Sequence, residues 1–176
     1  MSANEAIASR LWTAGGFQED PWQRTEDPGE LDSNASLILP LGVFLALDPA
    51  ARENAIARLG VEIQAGEAIE QLVPFLESLP LVVLVFPKFN DGRSYSKAEL
   101  LRSRYGYKGE IRATGDVLFD QIPHMLRCGF SAFEVKSEPT LRQLEAGRRG
   151  GIPLHYQPSA ATPAKAGRYA WRRLAQ

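Results

Sequence analysis

The sequence predicts a single α/β domain with a mainly parallel sheet of about five or six strands. Short apolar segments alternate about six times with segments that carry the punctuation of helices. The run "LPLVVLVF" at 79–86 is apolar without alternation, which is typical of a parallel strand buried on both faces. A length of 176 residues suits one domain better than two. The order of segments fits either an open sheet or a partial βα barrel.

The first elements follow an N-terminal arm, residues 1–34, which is predicted to be irregular because it is rich in turn-forming residues. Trp12, Phe17 and Trp22 are expected to anchor this arm on the domain. The α/β domain is predicted over 35–157, beginning with a strand at 36–41. A helix over 48–60 is indicated by Asp48 as N-cap, Pro49 and a terminal Gly60, although 42–47 fits helix or strand.

The remaining elements continue the alternation to residue 157. Pro74 and Pro123 fall inside predicted helices, Ser96 and Glu99 have the spacing of a capping box, and Gly129 marks a helix end. The predicted strands are 61–65, 79–86, 109–114, 131–135 and 152–157, and the predicted helices are 67–79, 96–106, 116–129 and 139–149. Residues 158–176 form a basic tail rich in Ala and Pro.

Composition narrows the functional classes. The net charge of −1 gives no bias toward nucleic acid or anionic membranes. No apolar run approaches the ~20 residues of a membrane span. A single cysteine excludes an internal disulfide, and the N-terminal residues lack a signal-peptide pattern. We therefore expect a cytoplasmic protein that binds neither nucleic acid nor membrane.

Three polar turns are predicted to meet at the carboxyl ends of parallel strands, where ligands bind in α/β folds. The turns are "KFNDGRSYS", "RATGD" and "EVKSEP", and the last two bring Thr114, Glu134 and Lys136 to the same rim. Arginine and helix N-termini suit phosphate, sulfate or carboxylate. The predicted anion or ligand site comprises Lys88, Asp91, Gly92, Arg93, Ser94, Arg112, Gly115 and Asp116.

A structural interpretation of the same residues stays open. Asp116 suits a helix cap, Gly92 and Gly115 suit turn geometry, and Asp91 suits an ion pair with Arg93. Cys128 near a helix end is expected to be packed and inert. His124 and His155 have no metal-ligand spacing, and no dinucleotide, Walker or zinc motif is present. Catalytic residues and cofactors therefore remain unknown, and no metal is expected.

The stretch 86–135 resembles an uncharacterised bacterial family of unknown function whose members are often encoded beside assimilatory sulfite reductase. The motifs that carry the resemblance are "DGRSYS", "GEIRATGDV" and "RCGF". Ser94 and Pro123 depart from the family pattern. Members are labelled probable oxidoreductases involved in sulfite reduction, so the resemblance implies a cytoplasmic role in sulfur assimilation.

Two functions of different class follow from this resemblance. In the first, the protein is an accessory protein or oxidoreductase component that binds a sulfur oxyanion or a phosphate-bearing ligand. In the second, it is a non-catalytic partner that docks on sulfite reductase or its electron donor. A general nucleotide-binding module is a weaker third alternative.

Overall fold

The computed structural model describes residues 9–33, 35–148 and 150. Within this part, eight strands form one sheet in the order β2-β1-β8-β7-β6-β5-β4-β3. The strands are β1 (Arg10–Thr13), β2 (Gly16–Gln18), β3 (Trp22–Arg24), β4 (Ser36–Pro40), β5 (Leu59–Ile63), β6 (Leu81–Phe86), β7 (Glu110–Gly115) and β8 (Ala132–Val135). The α-helices are α1 (Leu41–Ala46), α2 (Pro49–Ala55), α3 (Arg93–Ser103), α4 (Ile122–Cys128) and α5 (Glu138–Glu145), and 3₁₀ helices span Pro28–Asp32, Ile56–Arg58 and Ile69–Phe75.

Strands β3 to β8 run parallel and lie side by side in chain order. The sheet is curled, because Arg24 on β3 reaches Glu134 on β8 with an N–O distance of 2.8 Å. Chain-order pairing is the arrangement of a βα barrel, whereas a doubly wound sheet reverses its strand order. The predicted α/β class is confirmed, with more strands than expected, and the partial barrel is the better of the two descriptions. Strand β6 lies between parallel neighbours, as predicted.

The two faces of the curled sheet differ in chemistry. On the convex face, alternate residues of β6, such as Val82 and Leu84, belong to the large apolar core that includes Leu101 and Met125 of the helices. The apolar cluster of the concave face is small: Ile38, Leu81 and Val83, with Trp22 against them. The rest of the concave face is available for polar side chains.

The N-terminal segment differs from the irregular arm that composition predicted. It contributes three strands, of which β1 pairs antiparallel with both β2 and β8. Trp12 is buried with its ring centroid 5.7 Å from that of Phe133, Phe17 packs on the main core, and Trp22 packs on the concave face. Strands of three or four residues, paired with distant partners, leave little local signal, and the turn residues mark only the links between them.

Several helix boundaries also differ from the sequence expectations. Pro123 lies in the first turn of α4, where a missing N–H is tolerated, rather than in the interior. Helix α3 begins at Arg93, so Ser96 is inside it and caps nothing. Gly60 belongs to β5, where a Cβ would lie 2.8 Å from a methyl of Leu81. Gly129 ends α4 with a φ of +107°, as predicted.

Two other regions complete the comparison with the expected elements. Residues 42–47, which fitted either state, lie mostly in α1, and Pro74 lies in a 3₁₀ helix. The strand predicted at 152–157 and the basic tail lie outside the described residues. No helix in the described part of the chain combines the length and apolarity needed to cross a membrane.

Candidate functional site

The loop between β6 and α3 carries most of the predicted site. Asp91 accepts three hydrogen bonds from Arg93: from the backbone N at 3.2 Å, from Nε at 2.9 Å and from Nη2 at 2.6 Å. These hydrogen bonds lower the pKa of Asp91 to about 2. The side chain of Arg93 is 61% exposed. The predicted ion pair is therefore present, and it orients an arginine that still faces solvent.

Gly115 and Asp116 hold this loop in place from the neighbouring strand. The backbone N of Asp116 donates to the carbonyl of Phe86 at 2.8 Å, and its carboxylate accepts from the backbone N of Phe89 at 2.8 Å. Gly115 has a φ of +95°, and a Cβ there would lie 2.2 Å from the Phe86 carbonyl oxygen. Only glycine fits this position, so Gly115 and Asp116 shape the loop.

The other loop residues divide between interior and surface. Ser94 is buried, and its hydroxyl donates to the carbonyl of Val85 at 2.8 Å. Gly92 has a φ of −81° and nothing within 4 Å of a built Cβ, so the backbone does not require glycine there. Lys88 and Asn90 are exposed. An open cleft of about 470 Å³ is lined by Pro87, Lys88, Asn90, Asp91, Gly92 and Arg93; we call it the β6–α3 cleft.

Arg112 belongs to a different cluster. It lies in the middle of β7, is 1% exposed, and pairs with Glu110 at 2.8 Å, Asp20 at 2.8 Å and Glu134 at 3.2 Å. Burial acts to lower the pKa of Arg112, but attraction to Glu110 and Asp20 outweighs it, and the pKa is raised. The structure therefore does not bring Arg112 together with Arg93, because three carboxylates hold its guanidinium inside the curled sheet.

Glu134 is the centre of this group of polar side chains. We call the group the concave-face cluster, and its members are Asp20, Arg24, Glu62, Glu110, Arg112, Thr114 and Glu134. Its buried carboxylate accepts hydrogen bonds from Thr114 Oγ1 at 2.8 Å, from Arg112 Nη1 at 3.2 Å and from Arg24 Nη2 at 2.8 and 2.9 Å. Arg24 also donates from Nε to Glu62 at 2.8 Å. Burial alone would raise the pKa of Glu134, but the hydrogen bonds from Arg24, Thr114 and Arg112 lower it. The carboxylate is thus held ionised between two arginines.

The β6–α3 cleft and part of the concave-face cluster lie in a region that matches a protein family. The family model described as "Bacterial protein of unknown function (DUF934)" matches residues 60–166. The chain belongs to the DUF934 family. The DUF934 match includes the β6–α3 cleft, Arg112 and Glu134, whereas Asp20 and Arg24 precede it. A search of curated proteins finds no match to the chain.

Sequence reasoning missed four members of the concave-face cluster: Asp20, Arg24, Glu62 and Glu110. The sequence of the strands within the DUF934 match does contain a signal for polar residues on one face of the sheet. Charged or polar residues stand at every second position of "GEIRATG" in β7, and a glutamate interrupts the apolar segments "VEI" in β5 and "AFEV" in β8. Alternate residues share a face of a strand, so these side chains point to one side of the sheet. Lys136, predicted on the same rim, lies exposed beyond β8.

Cys128 is packed beside His124 at the end of α4, with Sγ 3.8 Å from Nε2. Burial, followed by repulsion from Glu99, raises the pKa of Cys128, while burial and Arg127 lower the pKa of His124. Both shifts favour the neutral thiol and neutral imidazole over an ion pair. Across the described residues, no group of three or more His, Cys, Asp or Glu is placed to hold a metal ion.

Proposed function

We propose that the protein binds a sulfur oxyanion or a phosphate-bearing ligand in the β6–α3 cleft, as an accessory protein or oxidoreductase component of assimilatory sulfite reduction. The observation that carries this proposal is the exposed guanidinium of Arg93, held by Asp91 at the start of α3. The link to sulfite reduction comes from the resemblance of the loop and its neighbouring motifs.

The positions of the positively charged side chains around the cleft support binding of an anionic ligand. Arg93 uses Nε and Nη2 for Asp91, and its Nη1 has no hydrogen-bond partner among the described residues. Lys88 is exposed on the same cleft. Lys97 lies nearby and donates to the carbonyls of Gln64 and Ala65 at 2.7 and 2.9 Å. A pKa of about 2 keeps Asp91 ionised at neutral pH, so the orientation of Arg93 is maintained.

Titration calorimetry with sulfite, sulfate and phosphate at low salt tests this proposal. Replacing Arg93→Ala removes a charge-assisted hydrogen bond, which is worth ~1.5–3 kcal/mol of binding free energy. Arg142→Ala is the matched control, because Arg142 is an exposed arginine on α5 paired with Glu138. Equal anion affinity in the Arg93→Ala variant and the parent would contradict anion binding in the β6–α3 cleft.

A second function, docking on sulfite reductase or its electron donor, is favoured by Phe89. Its side chain is 54% exposed at the tip of the same loop. Its backbone is fixed on both sides, since its N–H donates to Asp116 and its carbonyl accepts from Gln121 Nε2 at 2.6 Å. An exposed aromatic side chain on a backbone that is held in place is suited to act as an anchor at a protein interface.

The docking function predicts that Phe89→Ala weakens binding to purified assimilatory sulfite reductase or its electron donor. A loss of ~2 kcal/mol or more is expected of an aromatic anchor. Val73→Ala is the control, because Val73 is a 40% exposed hydrophobic residue outside this loop. Biolayer interferometry measures both variants. If Phe89→Ala and Val73→Ala bind alike, Phe89 is not an anchor for these partners.

A further inference from the structure

A second pocket opens on the concave side of the curled sheet and shares no residue with the β6–α3 cleft. Its volume is about 260 Å³, and it is lined by Arg24, Thr25, Glu26, Ile38, Pro40 and Glu62. Arg24 and Pro40 are the last residues of β3 and β4, and Glu62 is the penultimate residue of β5. The pocket therefore lies at the carboxyl ends of parallel strands, the edge at which βα-barrel proteins bind their ligands.

The polar groups of this pocket are only partly satisfied within the protein. Arg24 donates from Nε to Glu62 and from Nη2 to Glu134, which leaves Nη1 without a partner in the described part of the chain. The Glu26 carboxylate is exposed and likewise forms no hydrogen bond to a described residue. Glu62 is better held, because Gln64 Nε2 also donates to its Oε1 at 3.2 Å.

The charge of the pocket distinguishes between classes of ligand. Glu26 and Glu62 line the pocket with a single guanidinium, and Glu134 contacts that guanidinium from inside the sheet. A simple oxyanion would meet more negative charge than positive, whereas a simple amine would leave Nη1 of Arg24 unused. The buried Ile38 and the partly exposed Pro40 add an apolar surface. A ligand with an ammonium, a carboxylate and a short aliphatic group satisfies all of these features.

We propose that this pocket binds a small zwitterion of the amino-acid type. The ammonium of the ligand interacts with Glu26 and Glu62, its carboxylate accepts from Nη1 of Arg24, and its aliphatic group packs on Ile38 and Pro40. The ion pairs to Glu62 and Glu134 orient the Arg24 guanidinium before the ligand arrives, which lowers the cost of binding. This site is additional to the anion site proposed for the β6–α3 cleft.

The test uses L-valine and two analogues that each lack one charge. Isovalerate retains the carboxylate and aliphatic group, and isobutylamine retains the ammonium and aliphatic group. In NMR titrations of the full chain, L-valine is expected to shift the backbone amide signals of residues 24–26, 38, 39 and 62. Each analogue is expected to bind at least about tenfold more weakly, the size of one lost charged hydrogen bond.

Variants separate this pocket from the rest of the molecule. Glu26→Gln changes an exposed residue without a described hydrogen bond, so the fold is retained, and L-valine binding is expected to fall about tenfold. Glu138→Gln is the matched control on α5 and leaves L-valine binding unchanged. Sulfite titrations of Glu26→Gln report on the β6–α3 cleft independently. The proposal is overturned if L-valine does not bind at ~50 mM, if either analogue binds equally well, or if Glu26→Gln retains the parent affinity for L-valine.

Discussion

Replacing Glu134→Gln tests whether the concave-face cluster stabilises the fold. Gln keeps the shape of the side chain but removes the charge that Arg24 and Arg112 contact. Removing one partner of a buried ion pair costs ~3–5 kcal/mol. Arg112 keeps Glu110 and Asp20 as partners, so the loss is expected at the lower end, ~3 kcal/mol. That is a large part of the ~5–15 kcal/mol that stabilises a typical domain.

Urea unfolding followed by circular dichroism measures this loss of stability. The control is Glu138→Gln, the same substitution in an exposed pair with Arg142, whose side chains are 56% and 73% exposed. Exposed i,i+4 pairs contribute only ~0.3–0.5 kcal/mol. High salt is expected to reduce the effect of the exposed pair much more than that of the buried cluster, because buried charges are poorly screened.

The pH dependence of stability gives a second readout for Glu134. Its pKa is lowered in the folded protein, so its contribution is fully present above the unfolded-state value of ~4.3. The contribution decreases as the pH falls through the folded pKa, because protonation removes the charge that the arginines contact. The stability difference between parent and Glu134→Gln is therefore expected to narrow below pH ~4. A variant within ~1 kcal/mol of Glu138→Gln at neutral pH would refute the reasoning.

Two further predictions concern the loop and the thiol. Gly115→Ala is expected to lower the free energy of unfolding by ~2 kcal/mol or more, because a Cβ would clash with the Phe86 carbonyl. Gly42→Ala in α1 is the control, because there is free space around it and the substitution is expected to raise the free energy of unfolding by up to ~1 kcal/mol. Equal melting temperatures for the two variants would contradict this prediction. Cys128, which is buried and has a raised thiol pKa, is expected to react slowly with an alkylating probe in the native protein and rapidly in urea. Mass spectrometry measures the rate of alkylation, and a fast reaction in the native protein would show that the thiol is accessible.

The sequence predicted the elements whose signals are local. The unbroken apolar run of β6 identified a buried parallel strand, and Gly129 marked the end of α4. The pairing of β1 with β8 was not predicted, because it joins segments more than a hundred residues apart along the chain and depends on backbone hydrogen bonds. Residue propensities in 10–24 therefore predicted turns and not the three short strands that the structure contains.

The candidate site was predictable to a similar extent. The pairing of Asp91 with Arg93 follows from their positions in one turn at the start of a helix, and the structure contains it. Motif position suggested that Arg112 lies on the rim, but its depth within β7 and its three carboxylate partners depend on the curl of the whole sheet. Ligand binding by Arg93 and its neighbours stays a prediction that the proposed titrations test.

The chain-order pairing of β3 to β8 has a consequence for how the protein folds during synthesis. Each of these strands can pair with the preceding one as soon as it leaves the ribosome, so most of the sheet forms through contacts between successive segments. Strand β1 is the exception, because its partner β8 is made more than a hundred residues later. The hairpin of β1 and β2 can therefore join the sheet, and the Arg24–Glu134 ion pair can form, only after β8 has been made. A nascent chain that stops before residue 132 leaves the edge of β7 unpaired.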